Sequence, residues 1–374
     1  MNRTLRSLSR RLGFLALALA LSLGACAASC PLDDQTLDAI RNLADAHIEA
    51  DIAPGIVLAI RCGDAYWIEP FGLSLIKTQE PMDSSLQFFV GSISKQFVAA
   101  AILRLRESGV LDLDDPISNF IDQVPDDWAV ITIRHLLTHT SGANSFGGYT
   151  QLPFDAGGVW PSESVISAMM TGDLAFVPGE EYCYSRTTGY MILAFVVERV
   201  AGVTLETYIE REFLAPLKLS GTGFATVHEP TKLTGFYHHY WNGQAMFEEV
   251  PHFDTALGSA MYSTAADLLA WQIALSTGQV ISKDSYTMMT TRATTCSADG
   301  VTETHDYGLG LEVIVNEDDS LAELGHRGHG GHRASLWVYP AADIVVAVLQ
   351  NCDRPLRPLL EDIEAVLFPP APSD

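Results

Sequence analysis

Strand-like patterns in this 374-residue chain gather near its two ends. Residues 55–61 (GIVLAIR) and 65–71 (AYWIEPF) are rich in branched and aromatic side chains and are separated by Cys62-Gly63-Asp64, the signature of a hairpin. Residues 308–315, 334–339 and 344–349 repeat the pattern near the other end. Between these groups, from residue 111 to about 276, helical periodicity and long loops dominate, including residues 190–200 with a stop at Gly202. A half-buried sheet needs partners for its strands and cover for its faces, so the two groups are expected to meet in one sheet. The expected fold is α/β (α+β), an antiparallel sheet assembled from N- and C-terminal segments (residues 32–110 and 290–368) and flanked by helices at 35–50 and 356–367. Residues 111–289 are then an inserted all-helical domain, and a ligand cleft is expected between the two parts.

The first helix after the hairpin carries a candidate serine nucleophile with its own lysine base, a spacing that an ordinary helix start also shows. Gly91-Ser92-Ile93-Ser94-Lys95 opens the apolar run 97–103 (FVAAAIL), which reads as a buried helix closed by Gly109. Residues three apart share a helix face, so the Ser92 hydroxyl and the Lys95 amine point the same way while Ser94 points elsewhere. A serine hydroxyl becomes a nucleophile when a base takes its proton, and lysine serves as that base when its surroundings lower its pKa. The helix start adds N–H groups and a positive dipole end that favour developing negative charge. A second copy of the spacing, Ser74-Leu75-Ile76-Lys77, falls in a strand or turn. An odd separation there sends the side chains to opposite faces, and both residues are read as surface residues.

The first 25 residues read as an export signal. Arg3, Arg6, Arg10 and Arg11 precede an apolar stretch from Leu12 to Ala25, too short for an ordinary membrane span and followed by small residues. Leu23-Gly24-Ala25-Cys26 resembles a lipoprotein cleavage box with Cys26 as the lipidated residue, and Ala25-Cys26-Ala27 also suits ordinary signal peptidase. The expected location is therefore the periplasm or, as a lipoprotein, the membrane surface. A formal charge of −24 argues against nucleic acid as a partner. Six cysteines, at 26, 30, 62, 183, 296 and 352, show no zinc-like spacing. An exported chain can form one disulfide among them, and Cys183, between Tyr182 and Tyr184, is expected to be a small buried residue.

Further runs appear in a definite order: Phe88-Phe89-Val90-Gly91-Ser92-Ile93-Ser94-Lys95-Gln96, then Leu111-Asp112-Leu113-Asp114-Asp115-Pro116, then Ile131-Thr132-Ile133-Arg134-His135-Leu136-Leu137-Thr138-His139-Thr140-Ser141-Gly142. Pro178-Gly179-Glu180, Tyr184-Ser185, Pro216-Leu217, Ser220-Gly221-Thr222, Tyr262-Ser263-Thr264-Ala265-Ala266-Asp267 and Tyr307-Gly308-Leu309-Gly310 follow. From about residue 35 to 352 the chain resembles the serine β-lactamase and penicillin-binding group, in particular its class C-like branch of esterases, D-amino-acid peptidases and β-lactamases.

The resemblance implies that Ser92 forms an acyl-enzyme, Lys95 is its base and Tyr184 relays a proton between nucleophile and leaving group. It implies that His326 with Gly328 is the third box, with Gly328 lining the substrate site, and that the backbone N–H groups of Ser92 and His329 form the oxyanion hole. Lys95 and His326 are expected to act as cations beside the Tyr184 phenol. Tyr262 is a rival tyrosine whose setting fits a helix cap. Arg186 stands where the family usually has asparagine; a guanidinium has no acceptor but can hold a substrate carboxylate. Gly325-His326-Arg327-Gly328-His329-Gly330-Gly331-His332 reads as a glycine-rich turn, and its three histidines raise a metal site as a minor alternative. Residues 236–241 (FYHHYW) read as an edge strand or loop, or as the lining of an acyl pocket.

The expected function is an exported, metal-independent serine hydrolase that needs no cofactor and acts on a small-molecule ester or a D-amino-acid peptide or amide. β-Lactamase or penicillin-binding DD-peptidase activity is the alternative within the resemblance. A non-catalytic protein holding cell-wall fragments in the same cleft is the alternative outside it.

Overall fold

A computed structural model describes residues 30–143, 166, 169–170, 173–185, 187–225, 230–241, 244–247, 261–295 and 306–369. The expected signal segment, Cys26, Arg186 and Cys296 lie outside these residues. The chain opens with helix α1 (Asp34–Glu49), capped by the Asp33 carboxylate, which accepts the Thr36 N–H at 2.8 Å. The hairpin of β1 (Gly55–Cys62) and β2 (Ala65–Leu75) follows, then β3 (Glu80–Pro81), β4 (Phe88–Phe89) and the buried helix α2 (Ser94–Glu107). The middle of the chain carries α3 (Ile133–Leu137), α4 (Thr188–Ala201) and α5 (Leu205–Ile209), the short strands β5 (Gly223–Phe224), β6 (Tyr237–Trp241), β7 (Gln244–Phe247) and β8 (Met261–Ser263), and helices α6 (Ala265–Ser276) and α7 (Lys283–Thr290). The C-terminal part supplies β9 (Thr294–Thr295), β10 (Asp306–Tyr307), β11 (Glu312–Val315), β12 (Leu321–Gly330), β13 (His332–Tyr339), β14 (Ile344–Gln350) and α8 (Arg357–Leu367).

The two end groups meet as the sequence pattern requires. Among the described residues a nine-stranded sheet runs in the order β3-β2-β1-β14-β13-β12-β11-β10-β9, every neighbouring pair antiparallel. The junction is β1 against β14, from Ile56 opposite Gln350 to Cys62 opposite Ile344. Both strands are buried almost throughout because both faces are covered. On one face α1 and α8 enclose Ile40, Ile56, Leu58, Val346 and Ile363; on the other α2 and α4 share the large core with Val57, Ala59 and Leu349. The membership of Phe97 and Trp271 in that core includes a stacked ring pair with centroids 3.7 Å apart.

Four readings change. Residues 111–289 are not all helical: β4, β8 and β5 form a small sheet, and β6 pairs with β7. The β4 strand needs a partner where it delivers the chain to Ser92, and Phe88 and Phe89 pair with Ser263 and Tyr262. Second, residues 325–330 belong to the ten-residue strand β12 rather than to a turn. Glycine, histidine and arginine are weak strand formers, and here close approach of neighbouring backbone selects glycine over strand propensity. Third, Ser74 is buried with its Oγ donating to Glu80 O at 3.3 Å, while Lys77 is exposed. Fourth, Cys183 is exposed, because the loop that carries it lies at the surface. Cys30 and Cys62 form a disulfide across a Cα separation of 5.7 Å, tying the segment before α1 to the end of β1. In the 236–241 run, Phe236 and Tyr237 are buried, and the Tyr237 hydroxyl accepts the Ile76 N–H at 2.7 Å, so these two rings serve packing.

Candidate active site

Ser92 lies in a single 3-10 turn (Gly91–Ile93) that runs directly into α2. The turn is held from two sides. His332 on β13 is fully buried; its Nδ1 accepts the Phe89 N–H at 2.9 Å and its Nε2 faces Gly235 O at 3.2 Å, so the neutral ring carries its proton on Nε2. On the other side β12 presses against the turn. A Cβ at Gly328 would fall 1.8 Å from Val90 O, and a Cβ at Gly91, whose φ is +50°, would fall 2.5 Å from His329 N. Only glycine allows this contact, and the contact sets the His329 amide against Gly91, the residue before Ser92.

Gly328→Ala is therefore expected to push β12 off the Ser92 turn. We expect kcat on a short p-nitrophenyl ester to drop about 100-fold, the scale of a 1 Å misplacement, with a cooperative melt retained. Kinetics and a thermal melt on the same sample check this.

Helical spacing brings the lysine to the serine. Lys95 Nζ lies 3.0 Å from Ser92 Oγ, and the Tyr184 hydroxyl lies 3.0 Å from the same oxygen, 92 residues further along the chain. Lys95 is 5% exposed, and burial pushes its pKa down to about 7. Its amine sits 5.3 Å from the ring centroids of both Tyr184 and Tyr190. Their electron-rich faces stabilise the ammonium that forms when the amine takes a proton. Losing its proton near pH 7 and within reach of a hydroxyl, such an amine is suited to act as a general base.

His326 stands differently from the expectation. It is 2% exposed; its Nδ1 donates to Arg327 O at 2.7 Å and its Nε2 accepts the Tyr307 hydroxyl at 3.1 Å. Burial holds its pKa down at about 4, against the raising effect of Glu312, so it is a neutral hydrogen-bonding group and not the cation expected beside Tyr184. Its ring centroid is 6.0 Å from that of Tyr184. The neighbouring guanidinium of Arg327 is bound to Glu312, Nη2 to Oε2 at 2.7 Å. His326 and His332 thus spend both ring nitrogens on protein partners, an arrangement unlike a metal-ligand set. Tyr262 is buried in the small sheet against Gly223, and Thr264 caps α6 by accepting the Asp267 N–H at 3.2 Å.

Sequence reasoning assigned no role to three buried residues of the site, Tyr190, Tyr307 and His139. The Tyr190 hydroxyl donates to Leu137 O at 2.8 Å, and Tyr307 supplies the proton that His326 Nε2 accepts. The signal was present, since Tyr307 and His139 open or centre two of the ordered runs. Their partners come from strands and loops far apart in sequence, which is why spacing did not reveal them.

Comparison with known proteins shows the family. The beta-lactamase family profile matches residues 40–368. Penicillin-binding protein 4* of Bacillus subtilis is 30% identical over 170 residues, 45% of this chain and 37% of that protein. Esterase EstB of Burkholderia gladioli is 28% identical over 209 residues, 51% of each chain. A D-stereospecific amidohydrolase from Streptomyces superimposes with a TM-score of 0.69 at 25% identity, covering 89% of this chain and 99% of that one. The chain spans about half the length or less of these two curated relatives.

Proposed function

Because this chain belongs to the beta-lactamase family, we propose that it is a serine hydrolase acting through an acyl-enzyme on Ser92, with carboxylic esters as its preferred substrates. One observation carries the reading: a single hydroxyl oxygen, Ser92 Oγ, lies 3.0 Å from both a buried amine and a phenol. In the proposed cycle Lys95 Nζ takes the Ser92 proton as Oγ adds to the substrate carbonyl carbon. The carbonyl oxygen, now negative, meets the N–H groups of Ser92 and His329, donors whose removal typically costs roughly 3 kcal/mol each. Tyr184 passes a proton to the departing alkoxide, the C–O bond breaks, and the acyl group stays on Ser92. Water, deprotonated through the same pair, then hydrolyses the acyl-enzyme and returns the proton to Ser92.

The preference for esters rests on His326. A neutral imidazole bound to Tyr307 offers no charge to a substrate carboxylate, and Arg327 is already paired with Glu312. Free D-alanyl peptides and β-lactams carry such a carboxylate, whereas simple esters and D-amino-acid amides do not. D-Amino-acid peptides or amides are the second reading, and Arg186 is the residue that would favour a carboxylate if it faced the cleft. We further propose that the chain is exported, consistent with its N-terminal sequence and with the Cys30–Cys62 disulfide, a bond favoured outside the cytoplasm. Lipidation at Cys26, a substrate-side role for Gly328 and treatment of residues 111–289 as a separate domain belong to the same proposal.

A panel of p-nitrophenyl esters, D-phenylalanine amide, a D-alanyl-D-alanine peptide and a chromogenic cephalosporin tests the ranking. We expect kcat/KM at least tenfold higher on the best ester than on either carboxylate-bearing substrate. The reverse order would overturn the ester reading, and labelling by none of these together with no fluorophosphonate adduct would favour a non-catalytic binding protein.

A further inference from the structure

The run 138–142 (THTSG) is one of the most distinctive in the sequence, and the proposed chemistry does not use it. It forms a turn against the loop that carries Tyr184, a loop outside any helix or strand. Four bonds join the two: Ala175 N–H to Gly142 O at 2.8 Å, Gly179 N–H to Thr140 O at 2.8 Å, Cys183 N–H to His139 O at 3.0 Å and Ser185 N–H to His139 Nδ1 at 3.2 Å. The last two come from one residue, His139, and hold the N–H groups of Cys183 and Ser185, the residues on either side of Tyr184. His139 holds an unusual backbone conformation to do so, with φ at +58° in a non-glycine residue. Its ring is 1% exposed and packs at 4.5 Å from Tyr184, 4.7 Å from Tyr307 and 5.3 Å from Tyr190, centroid to centroid.

Because Nδ1 accepts the Ser185 N–H, the neutral ring must carry its proton on Nε2. That atom is buried without a hydrogen-bond partner among the described residues. A side chain chosen only for packing would not need a buried polar atom left over. Among the described residues, the one hydrogen bond the ring makes is the acceptor at Nδ1, directed at the residue that follows Tyr184.

We propose that His139 is a positioning residue for Tyr184, acting through the Nδ1 acceptor and the backbone carbonyl that together fix Cys183 and Ser185, the residues flanking the phenol. Burial lowers its pKa well below the ordinary value, followed in effect by Lys95 and His326, so the acceptor persists throughout the working pH range. The groups facing it from packed elements are Lys95 on α2, Tyr190 on α4, Tyr307 on β10, His326 on β12, and Tyr182 and Tyr184 on the loop. This inference rests on Tyr184 serving as the proton relay.

The test is a double-mutant cycle with Tyr184→Phe, built on two substitutions that both tolerate positive φ. His139→Asn keeps an acceptor near the position of Nδ1, and His139→Gly removes it. On a p-nitrophenyl ester, His139→Gly is expected to lower kcat 10- to 100-fold with KM within threefold, and His139→Asn to be at least tenfold faster than His139→Gly. In the Tyr184→Phe background, His139→Gly should cost less than threefold, because the residue it positions has lost its hydroxyl. Equal losses in both backgrounds, or a folded His139→Asn no faster than His139→Gly, would overturn the proposal. Should His139→Gly not fold, as judged by circular dichroism, His139→Asn decides alone: a loss of more than tenfold against wild type overturns the proposal, and a smaller loss supports it. A Tyr184→Phe enzyme with wild-type kcat would instead overturn the relay reading itself.

Discussion

Ser92→Ala is expected to abolish turnover, lowering kcat on p-nitrophenyl esters by a factor on the order of 10⁴ to 10⁶, as loss of a nucleophile does in serine hydrolases. A factor of 10⁴ corresponds to about 5 kcal/mol of transition-state stabilisation. The fold should survive, since the Oγ contacts only Lys95 and Tyr184 among the hydrogen bonds of the described residues and the turn itself is fixed by its backbone and by β12. Removing the hydroxyl also removes an acceptor for two donors, so a small change in melting temperature is expected rather than none. Intact mass after fluorophosphonate treatment gives the second readout: wild type should gain one adduct mapped to Ser92, and the alanine variant none. Wild-type rates in Ser92→Ala would place the chemistry elsewhere.

Lys95→Met is expected to separate activity from stability in opposite directions. Activity should fall at least 1,000-fold, because no other buried amine lies at the Ser92 hydroxyl among the described residues. In the wild type, kcat/KM should rise with pH through about 7, following loss of the Lys95 proton, and this limb should vanish in the variant. Stability runs the other way. The unfolded amine holds its proton up to its ordinary value of 10.5, whereas the folded amine releases it above about 7. Between those values the unfolded chain binds more protons, so this group makes stability rise with pH across the window. Below pH 7 the folded state carries the whole cost of a charged amine in a dry site, on the order of 5 kcal/mol. Methionine fills similar volume without charge, so Lys95→Met should melt higher than wild type at pH 6, with the gain shrinking as pH approaches 10. A variant that melts lower at pH 6 would show that the amine is not held against its charge. Thermal melts at pH 6, 8 and 9.5 make the comparison.

Much of the architecture was legible because it is written in local patterns. The short continuous apolar runs of β1 and β14 and the apolar run of α2 announced themselves, and the need to cover two strand groups implied one sheet. The helix at 190–200 appears with its stop, α4 ending before Gly202 at φ +69°. What failed was where a distant contact overrode propensity. Strand β12 reads as a turn because its glycines lower strand propensity, yet Gly328 and Gly325 are there to let Val90, Leu336 and Trp337 approach. Ser74 reads as a surface residue, but β3 and the chain after Thr234 cover it.

The site divides in the same way. Ser92 and Lys95 are three residues apart on one helical turn, so helix geometry alone brings their polar atoms together. Tyr184 and His329 arrive from 92 and 237 residues away, and no local rule specifies their distance to Ser92. The charge states also belong to the folded molecule. Lys95 and His326 are both expected to act as cations beside Tyr184, but burial lowers Lys95 to about 7 and His326 to about 4. The sequence by itself therefore determined that Ser92 and Lys95 meet on one helical turn and the order of the elements, both consequences of short-range periodicity, while the proposed roles of nucleophile and base came from the family resemblance. The tertiary structure alone decided that His326 is neutral, that β12 can reach the Ser92 turn and that His139 holds the Tyr184 loop, because desolvation and close backbone approach exist only once the distant segments have packed.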